Sequence, residues 1–257
     1  MRREQIAKRL FEVILAAIVL AGIFLGALFL AQNSLIYPAP PASAPWGKLV
    51  VERPDITLHG WIVHPEADSA WVVFGGNALA LNPVGDEWRD CTTRAIYLMP
   101  YRGYEGQEGS PSEKALVADG IALVRQVRET HRTVGIIGIS LGTGVATQVA
   151  AQAQPDQLLL VTPYDRLDLV ARDHFPYLPV RLLMKDTYNS AAAVAQLRGV
   201  SVAVLQADQD EIISSARTRA LVAALPSGPT RWLHVPTSHN GVWERPELCS
   251  FVRQGAK

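Results

Sequence analysis

Ser140 lies in Gly138-Ile139-Ser140-Leu141-Gly142, directly after the apolar run Val134-Gly135-Ile136-Ile137 and directly before the small residues Thr143-Gly144-Val145-Ala146. That order constrains the chain strongly. It calls for a buried strand, a tight turn with the serine at its tip, and a helix packed close to a sheet. Glycines two residues either side of the serine let the turn close where a Cβ would clash. The helix N-terminus then points N–H groups and a partial positive charge toward the serine. A dinucleotide loop at Gly142-Thr143-Gly144 is a competing reading of the same residues. It fits poorly, because the third glycine of that pattern falls on Thr147 and no acidic residue ends the next strand.

The chain has 257 residues, with 24 Lys and Arg balanced by 24 Asp and Glu. No basic stripe with interleaved aromatics is present, which argues against a nucleic-acid partner. Val13 to Ala31 runs without a charge. As a helix it spans about 28 Å at ~1.5 Å per residue, close to the hydrocarbon core of a bilayer. Arg2, Arg3, Lys8 and Arg9 precede it, and Lys48 is the first positive charge after it. The positive-inside rule places residues 1–12 in the cytoplasm and the rest on the extracytoplasmic side, periplasmic or lumenal. A cleaved signal peptide is the rival. The run is long for one, and the small-x-small site Ala42-Ser43-Ala44 lies far past it. The expected organisation is therefore a membrane anchor at 13–31, a proline-rich extended spacer at 32–46 and one domain at 47–257. Cys91 and Cys249 could pair outside the cytoplasm, but the sequence cannot bring them together, so two isolated thiols are the safer reading; no metal-ligand spacing occurs among Cys and His.

Strands are expected at 48–52, 56–64, 70–74, 93–99, 134–137, 157–162, 200–207 and 230–235. Helices are expected at 86–91, 112–129, after Ser140, at 214–224 and at 246–253, with Ser112 capping the second. Alternating strands and helices predict an α/β fold with a mainly parallel sheet covered on both faces.

A serine hydroxyl needs a base, and the base needs an orienting carboxylate. The strand 202–207 ends in Asp208-Gln209-Asp210-Glu211-Ile212-Ile213. Asp210 is the chosen acid, since Ile212 and Ile213 can anchor the loop beyond it; Asp208 and Glu211 are the alternates. His239 lies in the loop after the last strand and is the chosen base. His234 sits within that strand and reads as structural. His59, His64, His131 and His174 precede the acid or fall in the wrong elements. Two backbone N–H groups are needed for an oxyanion. Leu141 and, in the loop Gly75-Gly76-Asn77-Ala78, Asn77 are assigned.

The loop Tyr101-Arg102-Gly103-Tyr104-Glu105-Gly106-Gln107-Glu108-Gly109-Ser110-Pro111-Ser112-Glu113 is similar to a Tyr-Arg-Gly-Tyr-Gly-x-Ser-x-Gly-x-Pro-Ser-Glu stretch. With Ser140, Asp210, the His239-Asn240 pair and the N-terminal anchor, the chain from Leu35 onward resembles the α/β-hydrolase superfamily. Within it, the likeness is to the membrane-anchored serine hydrolases of the BEM46-like or ABHD13-like group. Two residues depart from that group's pattern: Gly75 stands where histidine is usual, and Glu105 where glycine is usual. The resemblance implies a Ser140–His239–Asp210 triad that cleaves esters or thioesters through an acyl-enzyme. The implied substrate is a small or lipid-like acyl compound, and no cofactor is expected. Residues 163–199, apolar at 175–180 and 182–184, are expected as a lid-like insertion. A peptidase of the same fold and a non-catalytic tethered binding module are the alternatives.

Overall fold

The computed structural model describes residues 2–42 and 44–256, with side chains from residue 5 onward. Met1, Ser43 of the small-x-small site, Lys257 and the side chains of Arg2 and Arg3 lie outside the described residues.

The predicted anchor belongs to one helix, α1 (Arg2–Ile36), exposed along almost its whole length. From Gln5 to Ile36 it is long and apolar enough to cross a membrane. It runs farther than the apolar segment 13–31, so the first residues of the predicted spacer are helical. The reason is tertiary. Gln32 Nε2 donates to the Leu183 carbonyl at 3.2 Å, and Gln32 Oε1 accepts from Lys185 N at 2.8 Å. These bonds hold the last turn until Pro38 disfavours helix in the residue before it.

Residues 37–42 and 44–46 form neither helix nor strand, as a proline-rich segment should, but they do not hang free. Tyr37 and Pro40 are buried. The Pro38 carbonyl accepts from Ala78 N at 3.0 Å, the Pro40 carbonyl from Glu105 N at 3.1 Å, and the Pro45 carbonyl from Trp61 Nε1 at 3.0 Å.

Eight strands form one sheet: β1 (Leu49–Glu52), β2 (Thr57–Val63), β3 (Ser69–Phe74), β4 (Ala95–Leu98), β5 (Thr133–Ile139), β6 (Gln157–Val161), β7 (Ser201–Ala207) and β8 (Arg231–Val235). Their order is β1-β2-β4-β3-β5-β6-β7-β8. β1 with β2 and β2 with β4 are antiparallel, and every later pair is parallel. Strands β3, β5, β6 and β7 read Ser-Ala-Trp-Val-Val-Phe, Thr-Val-Gly-Ile-Ile-Gly-Ile, Gln-Leu-Leu-Leu-Val and Ser-Val-Ala-Val-Leu-Gln-Ala, buried almost throughout. Such continuous apolar runs are what a doubly covered parallel sheet requires. Each fully buried Val, Leu or Ile in it contributes about 1.5–3 kcal/mol.

On one face, Val72, Ile136, Leu158 and Val204 pack with α3 (Glu113–Arg128) and α4 (Leu141–Ala153). On the other, Val73, Ile137, Leu159 and Leu205 meet α2 (Leu81–Trp88) and the closing helix Pro246–Gln254. Helix α2 begins earlier than the expected 86–91. Its buried Leu81, Val84, Gly85 and Trp88 fall on one stripe, and Pro83 is tolerated in a first turn. Ser112 Oγ caps α3 by accepting from Ala115 N.

The stretch 163–199 carries α5 (Leu167–His174), α6 (Val180–Leu183) and α7 (Ser190–Val194). Helix α7 is buried against α4, whereas α5 is exposed over its last turn and α6 at Arg181 and Leu182. Helix α8 (Ser215–Ala223) follows β7, and the closing helix is α9 (Pro246–Gln254).

The two cysteines are not isolated thiols. Cys91, just past α2, and Cys249, in α9, form a disulfide with Cα atoms 5.1 Å apart. Packing of α2 and α9 on the same sheet face brings them together, across a sequence separation of 158 that local pattern cannot bridge.

Candidate active site

Ser140 stands at the carboxyl end of β5, at φ 50° and ψ −118°. A left-handed backbone costs a residue with a Cβ about 1–3 kcal/mol. Surrounding bonds hold it there: Ser140 N donates to the Val161 carbonyl at 3.0 Å, and the Ser140 carbonyl accepts from Thr143 N at 2.9 Å and Thr143 Oγ1 at 2.7 Å. The flanking glycines serve close approach. A Cβ on Gly142 would overlap the Phe74 carbonyl oxygen, and one on Gly138 would lie 2.6 Å from Ala146 Cβ. The strain therefore falls on the serine, whose side chain is lifted clear of sheet and helix.

His239 follows β8 and opens a 3-10 turn at Asn240–Glu244. Its Nε2 lies 2.9 Å from Ser140 Oγ, and its Nδ1 lies 2.7 Å from Asp210 Oδ2. The imidazole and the carboxylate are 6% and 4% exposed. With the proton on Nδ1 donated to Asp210, Nε2 is left as acceptor for the serine O–H. Asp210 Oδ1 accepts from Ile212 N at 2.9 Å and Ile213 N at 2.7 Å, which fixes the carboxylate. Ile213 is buried and anchors the loop, while Ile212 is 41% exposed and faces a cavity.

The two alternate acids have other partners. Asp208 Oδ1 lies 2.8 Å from His234 Nδ1, at the surface. Glu211 Oε2 accepts from the backbone N–H of His239 at 3.0 Å, and that bond lowers the Glu211 carboxyl below its ordinary value. So the three neighbouring carboxylates divide: one to His234, one to the His239 ring and one to the His239 backbone.

The loop after β3 lies against the elbow. A Cβ on Gly76 would sit 3.2 Å from Ser140 Cβ. Among the described residues the Asn77 N–H has no backbone acceptor outside helices and strands, and Leu141 is the first residue of α4, where a helix leaves its N–H groups without an intrahelical partner. Two buried tyrosines brace these positions, and neither was singled out from the sequence for this. Tyr101 Oη donates to the Gly75 carbonyl at 2.9 Å, and Tyr164 Oη to the Leu141 carbonyl at 3.2 Å. Burial pushes both phenols well above their usual value, so they remain protonated donors. Tyr101 opens the Tyr-Arg-Gly-Tyr motif, a signal that was available; Tyr164 has none.

These groups converge on a cleft of about 380 Å³ at the carboxyl edge of the parallel strands, lined by Gly76, Asn77, Ser140, His239 and Trp243 among others. Sites of open α/β sheets lie at that edge. Asp210, His239 and the Asn77 loop reach it from the ends of β7, β8 and β3.

This is the α/β-hydrolase fold. The Pyrococcus furiosus esterase Pf2001 superimposes with a TM-score of 0.66 at 13% identity, over 83% of this chain and 94% of that one. No protein-family model matches the chain. It is 34% identical over 236 residues to the uncharacterized protein Rv2307c of Mycobacterium tuberculosis, covering 81% of this chain and 80% of that protein. It is 34% identical over 96 residues to the lysophosphatidylserine lipase ABHD12 of Danio rerio, covering 33% of this chain and 25% of that one. Protein bem46 of Schizosaccharomyces pombe is 22% identical over 176 residues, covering 63% and 59%. The chain belongs to the α/β-hydrolase superfamily, with BEM46-like and ABHD-like relatives. Its N-terminal apolar helix associates it with a membrane.

Proposed function

We propose that this chain is a membrane-anchored serine hydrolase cleaving carboxylic esters or thioesters of lipid-like acyl compounds. The observation that carries this reading is the relay from Ser140 Oγ through His239 to Asp210, at 2.9 and 2.7 Å. Ser140 Oγ attacks the acyl carbonyl carbon while His239 Nε2 takes its proton. Asp210 holds the Nδ1–H tautomer and stabilises the imidazolium. The oxyanion accepts from the N–H groups of Leu141 and Asn77, which are fixed before substrate arrives. The imidazolium then protonates the leaving alkoxide or thiolate. A water, deprotonated by the same nitrogen, attacks the acyl-enzyme and releases the acid.

In this reading 47–257 is the catalytic domain, 163–199 its lid-like insertion, 13–31 the anchor and 32–46 the connection. Residues 1–12 face the cytoplasm. The Cys91–Cys249 disulfide supports an extracytoplasmic domain, since disulfides persist mainly in oxidising compartments. The test is Ser140→Ala in the full chain. Hydrolysis of p-nitrophenyl esters and labelling by a fluorophosphonate should fall to background. Retained labelling or turnover removes Ser140 from the mechanism, and a wild-type protein that does neither is not a hydrolase.

A further inference from the structure

The membrane helix is built into the neighbourhood of Ser140. The half-covered residues of the C-terminal part of α1 are Leu25, Leu28, Gln32 and Ile36, which fall on one helical face. That face meets α5 and α6 and the loops around them. Gln32 is tied to the Leu183 carbonyl and to Lys185 N, Asn33 Nδ2 donates to the Pro111 carbonyl at 3.1 Å, and Lys185 Nζ lies 4.3 Å over the Phe29 ring. Tyr37 Oη bonds Asp186 Oδ2 at 2.7 Å and Tyr188 Oη at 2.8 Å. Pro38 then bonds the loop that carries Asn77.

Between α1 and this insertion lies a second cavity, again of about 380 Å³. Its walls include Leu28 and Leu35 from α1, and Val170, Phe175 and Leu183 from the insertion. Asn77 and Ile212 line both this cavity and the Ser140 cleft. One end therefore adjoins the Ser140 cleft, with Asn77 and Ile212 between them. The other lies beside Leu28, within the segment expected to sit in hydrocarbon. Near this end large apolar side chains are exposed beside the charged Arg181 and Lys185. Leu30, Leu182 and Tyr177 are 81%, 86% and 98% exposed. Apolar side chains left open beside a spanning helix are at home against lipid.

We infer that this cavity is the acyl-binding site. One wall is the membrane helix itself, and the substrate is an amphiphile whose chain slides in from the bilayer between α1 and α6. This rests on the hydrolase reading and adds the site of the acyl chain, its route, and a role for α1 beyond tethering. The chain lies along Leu28 and Leu35, a wall of roughly 10 Å at ~1.5 Å per residue. Its carbonyl reaches Ser140 past Asn77 and Ile212.

The experiment uses the full-length protein in lipid nanodiscs and p-nitrophenyl acetate, octanoate and dodecanoate. For each variant the readout is the ratio of kcat/KM for dodecanoate to that for acetate, which a misfolded fraction does not alter. Leu28→Trp and Leu35→Trp, each filling the cavity from the helix side, should lower that ratio at least tenfold, with octanoate between. Leu30→Trp, on the same helix but outside the cavity, should leave it within twofold of wild type. An unchanged ratio in both cavity variants overturns the inference, as does an equal change in Leu30→Trp. Wild-type protein that neither turns over acetate nor labels with fluorophosphonate overturns the hydrolase reading and this inference with it.

Discussion

At Ser140 the backbone takes a dihedral pair that only its surroundings can hold, and the side chains around it divide labour by small differences in placement. Asp208, Asp210 and Glu211 sit within four residues, yet only Asp210 reaches the His239 ring. Asp210→Asn should lower kcat about ten-thousand-fold with little change in KM, because the ring loses its useful tautomer. Asp208→Asn should leave kcat within twofold, and steady-state kinetics on a short ester compares the two. Glu211 acts on the backbone instead. Its folded pKa is depressed, so its contribution is present above its ordinary value of about 4.5 and lost as pH falls through the lower folded value. The melting temperature of wild type should therefore exceed that of Glu211→Gln at pH 7, and the gap should close in acid; a gap that widens toward low pH contradicts the assignment. Ser140, Asp210 and His239 were legible because each follows an apolar strand, and chain order restricts the choice. Of the bracing tyrosines only Tyr101 carried a signal, its motif, and the partner of neither was legible, since nothing in the sequence says which carbonyl a buried phenol meets.

Among the elements, the loop Tyr101 to Pro111 shows how a motif legible in sequence can have a structural cause. Arg102 grips Asp119 of α3 through Nε to Oδ2 and Nη2 to Oδ1, both at 2.8 Å, and reaches Asp55 with Nη1 at 2.8 Å. Asp119 also accepts from Arg53 Nε at 3.1 Å. The Arg102–Asp119 pair is nearly buried, so removing one partner strands the other. Asp119→Ala should cost about 3 kcal/mol, the low end for a broken buried pair because Asp55 still faces the guanidinium. Urea denaturation followed by Trp fluorescence measures it. A loss under 1 kcal/mol would mean that the pair only orients the loop. The element pattern was read correctly wherever an unbroken apolar run marked a buried strand, as in β3, β5, β6 and β7. It was least legible in 32–46 and 163–199, where prolines interrupt any period and the fate of each turn is decided by contacts such as Gln32 with Leu183.

At the scale of the molecule, one covalent link closes the fold. The disulfide joins the segment after α2 to α9, and the enclosed stretch holds β4 through β8, the elbow and the relay. A cross-link over a loop of this length restricts the unfolded chain by about 5 kcal/mol in the chain-entropy model, with measured values more often about 2–4 kcal/mol. Reduction should therefore lower the melting temperature without displacing Ser140 from His239, because each follows a strand held by the sheet. The same bond bears on orientation. If the domain lies outside the cytoplasm, as the basic residues ahead of the apolar run of α1 and the disulfide together argue, both cysteines are oxidised in the cell. Cells quenched in acid, then denatured and treated with a maleimide polymer, should show no mass shift at Cys91 or Cys249 until a reductant is added. Protease added outside the cytoplasmic membrane should digest the domain and leave a fragment the size of α1. Free thiols in untreated cells, with the domain shielded from that protease, would reverse the orientation. The anchor would then present the Ser140 cleft to the inner leaflet.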